Sequence, residues 1–248
     1  VSNKPFDASA LVEQYPPGSV ESLVLQAKAE SREDYRYGSE EELRFELLLR
    51  SNIVRSAREL DKSKFSFAGF YDSKANDELW DKTDNGGFML KDGAKPSDGI
   101  KDIYKEGEKY ATECATAMMI VYYKALLDTF GADRFDELFL RIYLMNWVIR
   151  EPMLSDVGVP VKAVDMLPGD RGYFQNPDYD PAAPEWQGEN AIILPDGQYY
   201  GHGIGVLTAE KMIDSLNQNR RPGAQRSAYL LEKVSRPDYK RLFRAYQG

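Results

Sequence analysis

The sequence predicts a single α+β domain in which a buried helix packs against a central antiparallel sheet. Residues 110–127 are apolar on nearly every side, which is typical of a helix inside a core. Two runs of strand-forming residues flank Pro195-Asp196-Gly197, a turn signal that predicts an antiparallel hairpin. The 248 residues are enough for one large domain, and no repeat or composition shift marks a boundary within them.

The N-terminal part of the chain, residues 1–38, is poorly patterned and is predicted to be an arm packed on the domain. Its prolines interrupt any long element, and only a short helix over about 21–30 is expected within it. The main domain is predicted to occupy residues 39–248. It opens with a capping box formed by Ser39 and Glu42, followed by helical spacing as far as Leu60.

The elements after this first helix are predicted from local signals in chain order. An aromatic cluster at 65–71 favours a strand, and 79–90 favours a hairpin with a glycine turn. The remaining expectations are a helix from Ser97 to Gly107, the apolar helix, a helix over 133–140, a strand over 141–149, a long loop or short strands over 151–188, a helix over 209–219 capped by Thr208, and a strand over 227–231.

Composition excludes several classes of protein. The net charge of −8 argues against general nucleic-acid binding, which requires a basic surface to neutralise phosphates. One cysteine excludes an internal disulfide and a cysteine-rich zinc site, and one histidine leaves too few ligands for a typical catalytic zinc. No apolar run reaches the length of a membrane span, and no secretory signal pattern is present. We expect no metal, no cofactor and no membrane partner.

The sole cysteine, Cys114, lies at the start of the apolar helix. Thr112 is the expected N-cap, and Gly131 follows the last apolar residue as a helix stop should. A thiol in the first turn meets unpaired backbone N–H groups and the positive end of the helix dipole, so it should ionise more easily. A buried structural cysteine fits this position equally well.

The hairpin around Pro195-Asp196-Gly197 carries the second half of a candidate site. A tight turn there gives paired residue numbers that sum to about 391 or 392, which places Glu189 opposite His202 or its neighbour. Glycines around His202 indicate that the backbone passes close to another group. Taken alone, the pair fits an ordinary ion pair on a surface hairpin. Together with Cys114, it matches the layout of papain-like cysteine enzymes, in which a helix presents the thiol and a sheet presents the base.

Several motifs make the comparison more specific. They are YATECATA at 110–117, WQGEN at 186–190, GHGIGV at 201–206, FELLLRSNIV at 45–54, YFQNP at 173–177 and SAYLL at 227–231. In this order they closely resemble the spore-coat protein-glutamine γ-glutamyltransferase family of bacilli, the small calcium-independent microbial transglutaminases. The resemblance runs from about Ser39 to the C-terminus and is poor in the arm and over 152–171.

The resemblance implies an NlpC/P60-like, papain-related fold and a protein-crosslinking reaction. A glutamine γ-carboxamide is joined to a lysine ε-amine through a cysteine thioester, and ammonia leaves. The family's nucleophile falls on Cys114, its principal carboxylate on Glu189 and a second, partly substituting carboxylate on Glu113. His202 and Asn190 fall on supporting pocket positions. The aromatic walls of the substrate tunnel fall on Phe67, Trp147, Trp186 and Tyr173.

The same resemblance implies a monomer that acts on spore-coat proteins bearing glutamine and lysine, made in the mother-cell cytoplasm and deposited on the spore. No calcium-loop spacing is present in the sequence, so no calcium requirement is expected. Two alternatives remain open at this stage. One is a papain-like or NlpC-type cysteine hydrolase that uses Cys114 and His202. The other is a coat scaffold protein without turnover.

Overall fold

A computed structural model describes residues 11–149 and 152–248 of the chain. Its helices are α1 (Val20–Glu30), α2 (Glu40–Lys62), α3 (Pro96–Lys105), α4 (Cys114–Phe130), α5 (Ala132–Leu138), α6 (Ala209–Asn217) and α7 (Tyr239–Gln247). Its strands are β1 (Ser66–Phe67), β2 (Trp80–Lys82), β3 (Phe88–Leu90), β4 (Ala111–Thr112), β5 (Tyr143–Leu144), β6 (Val161–Lys162), β7 (Arg171–Gln175), β8 (Gly188–Ile193), β9 (Gln198–Gly201), β10 (Gly205–Thr208), β11 (Tyr229–Leu230) and β12 (Lys233–Val234). Helices and sheets are therefore mixed in one domain, as predicted.

The largest sheet has five antiparallel strands in the order β10-β9-β8-β7-β11. The β8–β9 hairpin turns at Asp196 and Gly197, both with positive φ, which is the backbone conformation that the turn signal requires. Ala191 pairs with Gly201 and Ile193 with Tyr199, so the paired numbers sum to 392 as expected. Every residue of β8 is buried, because the strand lies in the middle of the sheet with neighbours on both edges.

The core forms where α2 and α4 pack along each other and against β8. In α4 the buried side chains cover nearly the whole circumference of the helix, which confirms the interpretation of the apolar segment as a core helix. Asn52 of α2 donates a 2.8 Å hydrogen bond to Thr129 of α4 and so satisfies a polar group inside this contact. Gly131 ends α4 with φ of 80°, as predicted.

The N-terminal arm packs on this core through α1. Val24 and Leu25 are completely buried. Lys28 places its Nζ 3.0 Å from Glu46 Oε1, and burial lowers the pKa of Lys28 to about 8. The predicted boundary at residue 38 therefore lies inside a continuous network of packed and charged groups.

A buried ionic network extends from α2 to the start of β7. Arg50 donates to Glu46 on its own helix at 2.8 Å and to Asp170 at 2.9 Å. Asp170 also accepts from Arg236 at 2.6 Å. The side chains of Asp170 and Arg50 are both fully buried. Buried charges are tolerated when they are paired in this way. The network therefore ties α2 to Asp170, the residue directly before β7.

Four local predictions need correction. The strand expected over 141–149 is reduced to β5, because Asn146 takes a positive φ of 47° and turns the chain. Helix α3 begins at Pro96 and not at Ser97, whose N–H and hydroxyl both donate to Asp136. In the capping box, the Ser39 hydroxyl accepts from Glu42 N–H as predicted, but the Glu42 carboxylate accepts from Gly38 N–H. The aromatic cluster forms only β1 and a short 3-10 turn at Phe70–Asp72.

Within the described residues, none of the helices combines the length and apolar character that a membrane span requires. The C-terminal helix α7 was absent from the sequence prediction. Its Leu242 and Phe243 are buried, so it belongs to the core.

Candidate active site

The site begins at the N-terminus of α4, where Cys114 is the first helical residue. Glu113 is the N-cap: its Oε2 accepts from Ala115 N–H at 2.5 Å, and its Oε1 accepts from Thr116 N–H at 2.9 Å. The Thr116 hydroxyl also donates to Glu113. The prediction that Thr112 caps the helix is wrong, because Thr112 is held in β4 opposite Phe67 of β1. The thiol nevertheless lies at the helix N-terminus, as predicted.

The Cys114 side chain is half-buried, and its direct polar neighbour is Asn190 of β8. Asn190 Nδ2 lies 3.4 Å from Cys114 Sγ. Burial and then the negative charge of Glu189 raise the pKa of the Cys114 thiol to about 12, while the hydrogen bond from Asn190 acts in the opposite direction. The shift is therefore opposite in direction to the one expected from the position of the thiol at the helix start alone.

Glu189 precedes Asn190 on β8 and is 4 % exposed. A Cβ at Gly201 would lie 2.9 Å from Glu189 Cγ, so only glycine at position 201 leaves room for this carboxyl group. Burial raises the pKa of Glu189 well above its ordinary value, and the negative charge of Glu113 adds to the rise, while the backbone N–H of His202 lowers it. Glu189 Oε1 has no hydrogen-bond partner. The described residues hold no hydrogen bond between Glu189 and Cys114.

His202 follows the last residue of β9 and is 2 % exposed. Its Nε2 lies 3.0 Å from the Ser66 carbonyl, its Nδ1 lies 3.2 Å from the Tyr200 hydroxyl, and its ring stacks on Phe65 at 4.7 Å. The carbonyl can only accept, so the Nε2–H tautomer fits this network. Glu189 lies beside the His202 backbone, whose N–H bonds to its carboxyl group, but the two side chains do not form an ion pair, because both imidazole nitrogens are engaged elsewhere.

Two adjoining cavities surround these groups. The larger, of about 530 Å³, is lined by Cys114, Asn190 and three of the predicted tunnel aromatics, Phe67, Trp147 and Tyr173. The smaller, of about 70 Å³, is lined by Glu189, His202 and the fourth aromatic, Trp186. Phe67 and Glu185 line both cavities, so the two cavities meet at these residues.

Comparison with known proteins identifies the family. The model of the protein-glutamine gamma-glutamyltransferase family matches residues 1–246. The chain belongs to this family. The match includes the N-terminal arm, so the similarity extends beyond the start expected at Ser39.

Individual transglutaminases agree with this assignment. A protein-glutamine gamma-glutamyltransferase of Halalkalibacterium halodurans is 42% identical over 236 residues, covering 95% of this chain and 81% of the relative. One from Bacillus licheniformis is 47% identical over 205 residues, covering 82% of each chain. The solved transglutaminase from Geobacillus stearothermophilus without its C-terminal extension superposes with a TM-score of 0.78 at 42% identity, covering 83% of this chain and 97% of that one.

Sequence reasoning missed two residues that hold this transglutaminase site together. Arg171, at the start of β7, donates to Asn190 Oδ1 and lies 4.2 Å from the centroid of the Trp147 ring. Thr116 accepts from Asn146 N–H at 2.6 Å and so links the helix start to the turn that carries Trp147. Neither residue carries a local signal, because each acts on a segment far away in the chain.

Within the described part of this transglutaminase, no group of three or more histidine, cysteine, aspartate or glutamate side chains is arranged to hold a metal ion.

The buried His202 gives a test that separates a structural imidazole from a catalytic one. Burial lowers the pKa of His202 to about 4, below the 6.5 of an exposed histidine. The unfolded chain therefore takes up a proton first as the pH falls, so stability is present above pH 6.5 and is lost between 6.5 and 4. This single group accounts for roughly 3 kcal/mol of that loss.

We expect His202→Gln to flatten the decline of the unfolding free energy between pH 6.5 and 4, as measured by urea unfolding at each pH. Amine incorporation should fall by less than about tenfold, since a catalytic base contributes about 10²–10⁴-fold. A loss of amine incorporation in that higher range, with an unchanged pH dependence of stability, would identify His202 as a catalytic base.

Proposed function

We propose that this member of the family crosslinks proteins through a thioester on Cys114, joining a glutamine γ-carboxamide to a lysine ε-amine with release of ammonia. The observation that carries the proposal is the arrangement of one thiol at a helix N-terminus, an amide N–H donor on its sulfur and a buried carboxyl group in the adjoining cavity. These are the groups that acyl transfer through a cysteine requires.

The first half-reaction forms the thioester. The Cys114 thiol gives its proton to the Glu189 carboxylate, and the thiolate attacks the carboxamide carbon. As the C–N bond breaks, Glu189 returns the proton to the departing nitrogen, and ammonia leaves. Ala115 and Thr116 already donate their N–H groups to Glu113, so the Cys114 amide is the candidate donor to the oxyanion.

The second half-reaction transfers the acyl group. A lysine amine attacks the thioester carbon, and Glu189 accepts a proton from the attacking nitrogen. The C–S bond then breaks, and Glu189 passes that proton to the departing sulfur, which regenerates the thiol and the Glu189 carboxylate. Its raised pKa makes Glu189 a better proton acceptor within each half-reaction than an exposed carboxyl group would be. The missing direct bond to Cys114 is compatible with this role, since catalytic hydrogen bonds often tighten only when substrate is bound.

Glu113 has a different proposed part from Glu189. Both of its oxygens are engaged at the helix terminus, so accepting a proton from substrate would break the cap. Its part in catalysis is to hold the helix start and to add the negative charge that helps to raise the pKa of Glu189. Partial substitution for Glu189 would require Glu113 to leave its cap.

The aromatic walls explain how an amine could compete with water. We propose that Phe67, Trp147, Tyr173 and Trp186 form a tunnel in which the thioester is shielded from hydrolysis, with the lysine side chain entering its smaller part. The two adjoining cavities support this proposal.

The finer expectations follow the same resemblance. We propose an NlpC/P60-like, papain-related fold, supported by a thiol-bearing helix packed on an antiparallel sheet. We also propose an arm at 1–38 and a catalytic domain at 39–248, a monomeric and calcium-independent enzyme, and spore-coat proteins as the crosslinked substrates at the spore surface.

The proposal is tested by following the fate of a glutamine protein with and without a fluorescent primary amine. We expect stoichiometric ammonia release and amine incorporation, both unchanged by a calcium chelator. A hydrolase would produce glutamate or cleaved peptide without incorporating the amine. A scaffold protein would do neither.

A further inference from the structure

The guanidinium of Arg171 lies buried in the wall of the larger cavity, the one that Cys114 lines, with only 5% of the residue exposed. Its Nη1 donates to Asn190 Oδ1 at 2.5 Å. Its Nη2 donates to the Val157 carbonyl at 3.0 Å and to the Ser235 hydroxyl. Three groups from separate segments thus fix the guanidinium in one plane.

This contact determines which end of the Asn190 amide faces the thiol. A side-chain amide has an acceptor end and a donor end of nearly equal shape, and the hydrogen bonds around it select the orientation. Arginine can only donate, so Asn190 must turn its oxygen toward Arg171. Its NH₂ group is then the end that lies 3.4 Å from Cys114 Sγ.

We infer that Arg171 is a positioning residue for the reaction: by holding Asn190 Oδ1 it keeps the amide N–H directed at the Cys114 sulfur, where it stabilises the thiolate. The inference deepens the proposed function and rests on it. Without Arg171 the amide can rotate and present its oxygen to the sulfur, which would repel the thiolate that must attack the substrate.

The anchoring of Arg171 supports this role. It stands next to Asp170, which the Arg50 and Arg236 guanidinium groups hold in the core. Its planar fork serves Asn190, Val157 and Ser235 at once, and a lysine ammonium cannot reproduce that geometry. Arg171 also lies against Trp147, so the same group supports one wall of the cavity.

A double-mutant cycle tests whether Arg171 acts through Asn190. The variants are Arg171→Lys, Asn190→Ala and the double variant, and the readout is the rate of iodoacetamide alkylation between pH 6 and 10. Because Cys114 is the only cysteine in the sequence, the label reports on this thiol alone. We expect each single variant to slow alkylation about tenfold at neutral pH and to displace the curve of rate against pH toward higher pH. The double variant should be no slower than either single variant.

Independent, multiplying effects of the two substitutions would overturn the inference, and so would an unchanged pH profile in Arg171→Lys. If Arg171→Lys fails to fold by circular dichroism, Ser235→Ala provides a milder test. It removes one anchor of the fork, and we expect a smaller shift of the profile in the same direction. An unshifted profile in Ser235→Ala would then contradict the inference.

Arg226→Lys is the matched control. Arg226 is an exposed arginine paired with Asp178, and its replacement should leave the alkylation profile unchanged. Alkylation needs no turnover, so the cycle can fail while amine incorporation by the wild type still supports the proposed function. Conversely, a wild type that incorporates no amine would refute the proposed function, while the alkylation rates of the double-mutant cycle could still be measured and interpreted. In steady-state assays the Asn190→Ala defect should appear in kcat, with KM for the amine little changed.

Discussion

Cys114→Ala is expected to reduce amine incorporation to the uncatalysed background, a loss of about four orders of magnitude or more. Removing the nucleophile of a covalent mechanism leaves only binding and oxyanion contacts, and losses of that size or larger follow in enzymes that work this way. The fold should survive, because the Cys114 side chain is half-buried and α4 is held by its other residues and by the Glu113 cap. The measurement is incorporation of a fluorescent amine into a glutamine protein.

Cys114→Ser is the matched variant, since it keeps the size of the side chain and replaces the sulfur by a weaker nucleophile. We expect it to be nearly as inactive as the alanine variant, with an unchanged melting temperature. Mass spectrometry of the wild type mixed with a glutamine substrate should show an acyl adduct on Cys114. Crosslinking by Cys114→Ala at a substantial fraction of the wild-type rate would end the assignment.

Much of the fold could be predicted because its signals are local. The length and apolar character of α4, the turn at Asp196-Gly197 and the Thr208 cap of α6 depend on residues within a few positions of one another. The hairpin register also follows from the turn, and it is confirmed by the pairing of Ala191 with Gly201. α7 also carries local signals, since Asp238 accepts from Arg241 N–H and the buried Leu242 and Phe243 follow Tyr239 at helical spacing, but the sequence prediction did not include this segment.

The parts that could not be predicted depend on contacts between distant segments. Thr112 is a good N-cap by residue type, but β4 needs it opposite Phe67, so Glu113 becomes the cap. The segment around Asn146 is rich in strand formers, yet Thr116 holds its backbone in a turn. Tertiary contacts overrode propensity in both places.

The candidate site shows the same limit at the level of single side chains. Consecutive residues of a strand point to opposite faces, so Glu189 and Asn190 cannot both face the same cavity. The sequence placed both residues at the site but gave no indication of which would meet the sulfur. The packing of β8 on α4 brings Asn190 to the thiol and Glu189 into the smaller cavity. Arg171 could not be inferred from the sequence either, because its partner Asn190 lies on the neighbouring strand.

Glu189→Gln is expected to lower kcat about 10²–10⁴-fold, the usual contribution of a general acid–base group. Glutamine fits the space left by Gly201, but it can neither accept the thiol proton nor deliver one to ammonia. Glu232→Gln is the matched control. This exposed carboxylate follows Leu231, at the edge of the larger cavity, and its replacement should leave kcat unchanged.

The same variant should be more stable than the wild type at alkaline pH, and this separates catalysis from structure. Burial raises the pKa of Glu189 above its value in the unfolded chain, so the folded state binds its proton more tightly. Stability from this group is complete below the unfolded pKa of about 4.3 and is lost as the pH rises through the folded pKa. Glutamine is always neutral and avoids that loss. Melting temperatures at pH 5 and pH 9 should therefore diverge in favour of Glu189→Gln at the higher pH, whereas a variant both inactive and less stable at pH 9 would indicate that Glu189 is a structural residue.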